Sequence, residues 1–320
     1  MKRLVRAAAG ALTLALAAPL AAQTYPTKPI TFVVPFAAGS ATDQLARALG
    51  QPIAAETGQS VIVDNKPGAN GFLGAQAVAK AAPDGYTVFI TTNTTHAANE
   101  HLFKKLPYDP VKDFAPVTGL AKGAQIMVVN PSLPYKTVAE FIAAAKKEPG
   151  KIAFGSGSSS SRIAGELLQQ MAGIQLLHVP YKSNPLAITD LLGGQIQMMI
   201  TDMATGMPQV KAGKLRALGV SSAKRSSLAP EVPTIAEAGV PGYEMGFWFA
   251  AYVPANTPPA VVKRLNDLLH KALAAAPAKA LFEQTGFEPF PTTPEELARF
   301  QAAESRKWKE IIQRAGIEPE

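Results

Sequence analysis

The stretch "VPFAAGSATDQLAR", residues 34–47, sets the architecture. An apolar run at 30–34 leads into it, small residues follow, and a helical pattern begins at Ser40. A strand that turns directly into a helix is the unit of an α/β fold, and the helix start leaves backbone N–H groups unpaired beside about half a positive charge. Gly39 lets the chain turn and approach a ligand, and residues 40–42 present their N–H groups there. The lysine and the second glycine of a phosphate loop are missing, so the turn suits an anion that backbone donors satisfy, such as a carboxylate. A plain strand-to-helix turn, with Ser40 or Thr42 only capping, is the competing reading of this stretch taken alone.

Outward from it, short apolar strands alternate with helical patterns. Strands are expected at 30–34, 61–65, 87–91, 114–120, 125–129, 152–155, 176–179, 198–201, 215–221 and 246–253. Helices are expected at 40–57, 71–81, 138–147, 159–171, 185–192, 207–212, 258–276, 277–285 and 294–315. Val262, Leu265, Leu268, Leu269 and Leu273 share one face behind the Pro258–Pro259 start, which predicts a helix packed on a sheet. Two more strands end in small, hydroxyl-rich loops, "TTNTTHAAN" at 91–99 and "GSGSSSSR" at 155–162. Ligands of open α/β sheets bind beyond the carboxyl ends of strands. Two such loops early and one near the midpoint predict two lobes facing one another over an anion.

Bulk properties narrow the class. A chain of 320 residues is long for one core, and 47% apolar with 17% charged residues is a packed globular composition. There is no cysteine, hence no disulfide framework and no thiolate site. The four histidines, His96, His101, His178 and His270, never stand at i, i+4, which argues against a zinc enzyme; no metal or cofactor is expected. Residues 1–22 have a basic start (Lys2, Arg3, Arg6), a short apolar middle and a small-residue end, the pattern of a cleaved signal peptide. Its removal leaves 28 basic against 24 acidic groups, a net +4 in place of +7, too mild and dispersed for a nucleic-acid binder. No later stretch has about 18 consecutive apolar residues, so the chain after the signal is expected to be soluble, and export without cysteines suits a bacterial periplasm.

The ordered motifs "YPTKPITFVVPFAAGSATDQLAR", "VDNKPGANGFLGAQAVAKAAPDGYT", "TTNTTHAAN", "LPYDPVKDFAPVT", "HVPYK", "DLLGGQIQ", "GKLRALGVSS" and "VPTIAEAGVPGYE" span nearly all of the chain after residue 22. In this it resembles the solute-binding proteins of tripartite tricarboxylate transporters, the Bug family. The resemblance implies a two-lobe periplasmic binding-protein fold of type II with the ligand in the inter-domain cleft. Domain one would comprise 23–122 and 247–320, and domain two 123–246. It also implies a small carboxylate ligand and docking of a monomeric receptor on one large and one small integral membrane subunit.

Carried over position by position, the resemblance selects Phe36, Ala37, Ala38, Gly39 and Ser40, with Asp43 behind them. It selects Thr92, Asn93, Thr94, Thr95 and His96 on the next loop, Ser156, Gly157, Ser158, Ser159 and Ser160 in domain two, then Tyr181, Lys182 and Asp202. Three positions depart from the family: Ser40 and Ser183 replace glycines, and Arg162 replaces a histidine. Arg162 either grips a second carboxylate in bidentate fashion or points to solvent on the first helical turn. Phe36 is either a lid or core; Asp43 either shapes the loop or only stabilises its helix; His96 either donates to the ligand or caps backbone. Lys182 is either a cleft residue or solvated, and Trp248 with Phe249 reads as core or hinge packing. Ser40 and Arg162 add polar capacity, which favours a dicarboxylate, with an aromatic diacid such as terephthalate as the specific expectation. Two rivals stand beside a receptor: a secreted serine hydrolase using the serine run and His96, although G-x-S-x-G is missing, and a sensor subunit that reports carboxylate to a kinase.

Overall fold

The computed structural model describes residues 25–320; the expected signal peptide at 1–22 lies outside the described residues. The strands are β1 Ile30–Val34, β2 Val61–Asn65, β3 Thr87–Thr92, β4 Phe114–Val129, β5 Ala153–Ser156, β6 Leu177–Pro180, β7 Met198–Asp202, β8 Arg216–Val220, β9 Gly246–Pro254 and β10 Glu288–Pro289. The helices are α1 Ala41–Thr57, α2 Phe72–Ala79, α3 Asn99–Leu102, α4 Val138–Lys147, α5 Ser159–Ala172, α6 Asn184–Leu192, α7 Met203–Lys211, α8 Pro259–Leu273, α9 Ala276–Thr285 and α10 Pro294–Arg314.

One half of the sheet runs β2-β1-β3-β9-β4, with β1 parallel to both neighbours and β9 antiparallel between β3 and β4. The far half of β4 pairs antiparallel with β7 and β8, and β5 lies parallel between β7 and β6. Strand β4 changes partners between Ala124, opposite Gly246, and Gln125, opposite Asp202. The result is the two-lobe arrangement implied by the resemblance, with α/β layers in each lobe. Strand β1 is buried at Ile30, Phe32, Val33 and Val34, as a parallel strand covered on both faces must be. Helix α8 buries all five residues of its expected face against it and its neighbours.

Four local differences from the sequence reading have physical reasons. The strands expected at 114–120 and 125–129 are one strand of 16 residues. Its small residues Ala121, Gly123 and Ala124 stay paired with β9, and two register shifts absorb the bend. The loop expected after β3 is instead a π-helical turn, Thr94–Ala98, running into α3. The Tyr108 hydroxyl donates to the Thr95 carbonyl at 2.9 Å, and Thr95 Oγ1 bonds Thr91 Oγ1 at 2.7 Å, so side chains fill the interior there. Helix α7 starts four residues early because Asp202 accepts the Thr205 N–H at 2.8 Å, and Pro208 is accommodated inside the helix. Strand β10 was not foreseen; two residues carry no periodicity.

Helix α10 packs against both lobes. Its Leu297, Trp308 and Ile312 join one buried cluster with Phe89 and Tyr252 of the first lobe and Ile163 of α5 in the second. His96 also sits in this interior, stacked on Tyr252 at 3.9 Å between centroids and edge-on to Phe114. Burial pushes its imidazole down to about 3, and burial followed by the Arg162 charge pushes His178 down to about 4. Both pKa values lie below that of an unfolded histidine, so the unfolded chain binds more protons between the two values. Their stabilising contribution is complete above about pH 6.5 and is lost as pH falls towards the folded values. The urea midpoint is therefore expected to drop steadily from about pH 7 to about pH 4, and the His96 C2-proton NMR signal should keep its neutral position down to about pH 5. Titration of that signal near pH 6.5 would contradict the buried placement.

Candidate functional site

Four helices begin on one cleft between the lobes. It measures about 380 Å³, counting space open to solvent, and its lining includes Ser40, Ala41 and Thr42 at the start of α1, Gly157, Ser158 and Ser160 at α5, Asn184 at α6 and Asp202 at α7. Phe36, Thr92, Gln125, Phe247 and Phe249 complete it. The parallel strands β1, β5 and β6 all point their carboxyl ends here, which is why the helices start here.

The first wall is held from behind. Gly39, with φ of +80°, turns the chain, and its N–H donates to Asp43 Oδ2 at 2.9 Å. Arg47 grips the same carboxylate through Nε at 3.1 Å and Nη2 at 3.0 Å. Burial raises the Asp43 pKa, but the Arg47 and Gly39 donors outweigh it and hold the carboxyl below its ordinary value. Asn65 Nδ2 donates to the Phe36 carbonyl at 3.0 Å, fixing the other end of the turn. Ser40 caps α1 by accepting the Asp43 N–H. The N–H groups of Ala41 and Thr42, inside the first turn, have no helical acceptor and border the cleft.

The serine run serves several partners. Ser156 Oγ bonds His178 Nε2 at 2.7 Å, away from the cleft. Gly157 is crossed so closely by the Ser183–Asn184 backbone that any side chain there would collide with it. Ser158 caps α5, and Ser161 returns the bond to the Ser158 N–H, a reciprocal capping box. Ser159 Oγ donates to Asn99 Oδ1 at 2.9 Å, and Ser160 reaches the cleft.

Asn184 ties the second wall together. Its Oδ1 accepts from the Gly157 N–H at 3.0 Å and from Ser161 Oγ at 3.2 Å, and its Nδ2 donates to Asp202 Oδ2 at 2.9 Å. Asp202 therefore has acceptors engaged by Asn184 and by the Thr205 N–H, and it sits at the favourable end of the α7 dipole. Among the described residues lining the cleft it is the one charged side chain. Gln125, 1% exposed at the point where β4 changes partners, has both backbone groups bonded to Ser221. Its side-chain Oε1 is buried with no partner in the chain.

Of the residues selected from the sequence, Phe36, Ser40, Thr92, Gly157, Ser158, Ser160 and Asp202 are brought together on the cleft. Ala37, Ala38 and Gly39 are on the more exposed outside of the first turn, and Asp43 braces it. Asn93, Thr94, Thr95 and His96 are interior: Asn93 Oδ1 accepts the Trp248 N–H at 3.3 Å, and His96 bonds Thr95. Ser156 and Ser159 turn to His178 and Asn99 as described. Tyr181 donates to Asp190 Oδ2 at 2.8 Å, and Lys182 is exposed. Arg162 follows neither expectation; it pairs with Glu320 at 2.7 Å. His96 bonds Thr95 rather than Ser158, whose Oγ bonds Ser160 and Ser161. Gln125, Asn184, Phe247 and Phe249 were missed. A glutamine inside an apolar strand and phenylalanines at i, i+2 on one strand face were the available signals.

Comparison with known proteins gives the family. Residues 45–317 match the model of the tripartite tricarboxylate transporter family receptor. BugT of Bordetella pertussis is 34% identical over 307 residues, covering 95% of this chain and 94% of that protein. Among solved structures, R. palustris Rpa4515 with adipate superposes with a TM-score of 0.89 at 36% identity, covering 92% of this chain and all of that one. MatC (Rpa3494) from Rhodopseudomonas palustris with bound malate gives 0.85 at 30% identity, covering 90% of this chain and all of that one. The chain belongs to the tripartite tricarboxylate transporter receptor family, the solute-binding proteins of the Bug type.

Proposed function

We propose that this chain is a periplasmic receptor that captures a small dicarboxylate and hands it to a tripartite tricarboxylate membrane transporter, without chemistry of its own. One observation carries the reading: helix starts from both lobes converge on a cleft lined by no lysine or arginine. Their unpaired N–H groups suit carboxylate oxygens, which need several donors rather than one fixed cation. One carboxylate lies against Ala41 and Thr42, the other against the Ser158–Ser160 turn, and Gln125 serves the floor between them. Phe36, Phe247 and Phe249 offer apolar faces to the middle of the ligand, which supports a flat aromatic diacid such as terephthalate as well as the aliphatic diacids named with the two relatives. Among the described residues no helix is long and apolar enough to cross a membrane, in keeping with a receptor that hands its cargo to separate membrane subunits. The moving units are proposed as 23–122 with 247–320, and 123–246, acting as a monomer.

Thermal-shift and calorimetric screening of terephthalate, adipate, malate, benzoate and citrate tests this. A diacid at a hundred times its dissociation constant should stabilise the protein by about 2.7 kcal/mol, and the monoacid benzoate should do less. A response only to amino acids or uncharged solutes would remove the dicarboxylate assignment. Gln125→Leu keeps an apolar stem but deletes the amide, and is expected to weaken diacid binding about tenfold, the worth of one hydrogen bond to a charged group.

A further inference from the structure

The first turn of α5 presents two faces. Ser158 and Ser160 line the cleft, while Ser159 and Arg162, one turn apart, meet the other lobe. Ser159 is 1% exposed and donates to Asn99 Oδ1 at 2.9 Å. Asn99 is itself buried, and its Nδ2 donates to the Asn70 carbonyl at 2.9 Å and to the Tyr108 hydroxyl at 3.1 Å. A carbonyl can only accept, so the Asn99 amide has one possible orientation, with its oxygen towards Ser159. Arg162 Nη2 reaches Glu320 Oε1 at 2.7 Å. Glu320 is stitched to the same stretch: its N–H donates to the Leu102 carbonyl at 2.9 Å, and its carbonyl accepts the Lys104 N–H at 2.8 Å. Both side-chain polar contacts that α5 makes with the other lobe thus fall on residues 99–104 and the segment paired with them, beside the apolar packing of Ile163 with α10.

We propose that this contact is a closure latch, in which Asn99 and Glu320 hold the outer side of α5 so that the Ser158–Ser160 turn is aimed at the ligand. Asn99 and Ser159 are positioning residues: they touch no ligand, and they fix the rotation of the turn whose other residues do. Affinity is then set partly from outside the cleft, because the latch forms only when the lobes meet, and its free energy adds to that of the ligand contacts. The two parts differ in kind. The Asn99–Ser159 bond is fully buried and insensitive to salt, whereas the Arg162–Glu320 pair has a Glu320 side chain 57% exposed and is screened.

The inference rests on the diacid-receptor reading, and the test separates the two. The chain has no cysteine, so Gln51→Cys and Lys146→Cys give one exposed label in each half for a distance measurement by pulsed electron resonance. Adipate is the probe. Ser159→Ala is expected to weaken adipate binding about three- to tenfold, mainly through faster dissociation, and to lengthen the label distance at a given adipate concentration. Asn99→Ala should act in the same direction, and the double variant should lose little more than either alone. Glu320→Gln should cost about twofold at low salt and nothing at high salt. A merely structural role would lower the melting point of the unliganded Ser159→Ala variant and leave dissociation unchanged, and that result would overturn the latch. Wild-type affinity, dissociation and distance in Ser159→Ala would overturn it equally. If the wild-type chain binds no diacid, the functional reading fails by itself; the latch is then read with any carboxylate that shortens the wild-type distance, and equal shortening at equal concentration in Ser159→Ala overturns it.

Discussion

Helix starts converging on one cleft leave backbone dipoles, rather than fixed cations, as its donors, and that arrangement governs this structure. A peptide N–H is useful to a ligand only when the helix it starts has left it unpaired and the protein has kept water and its own side chains from taking it. The cleft meets this condition at several helix starts together. The acidic groups near it are bonded to the chain's own donors. Asp43 is turned away and occupied by Arg47 and Gly39, and Asp202 is occupied by Asn184 and the α7 N–H. Each carboxylate fixes a turn whose remaining donors face the cleft.

The same economy explains a run of serines that looks redundant. Consecutive residues on a first helical turn point about 100° apart, so neighbouring hydroxyls serve different clients. Between them, Ser156 to Ser161 bond a histidine, cap α5, close the capping box, reach across to Asn99 and border the cleft. Ser158 has hydroxyl neighbours, and the serine that does touch a histidine, Ser156, faces away from the cleft.

Much of the fold was legible because it is local. A strand, a glycine with positive φ and a capped helix are specified within some fifteen residues, and the β1–α1 unit and the α8 face came out as read. The cleft was half legible. Ser40, Gly157 and Ser158 could be selected because their neighbours in sequence create the site, whereas Asn184 and Gln125 belong to it through partners such as Gly157 and Ser221, 27 and 96 residues away. The threonine-rich segment after β3 divides for a physical reason: Thr92 borders the cleft, whereas the hydroxyls of Thr91 and Thr95 satisfy one another in the interior. Arg162 found its carboxylate in Glu320, a pairing that no spacing rule indicates.

Strand β4 belongs to both halves of the molecule without a break. An uninterrupted ribbon resists sliding and stretching but yields to twist and bend, and the glycine at 123 sits where its partners change. The ribbon thereby couples the two halves through torsion, since any change in the twist of one end is carried along the same backbone to the other.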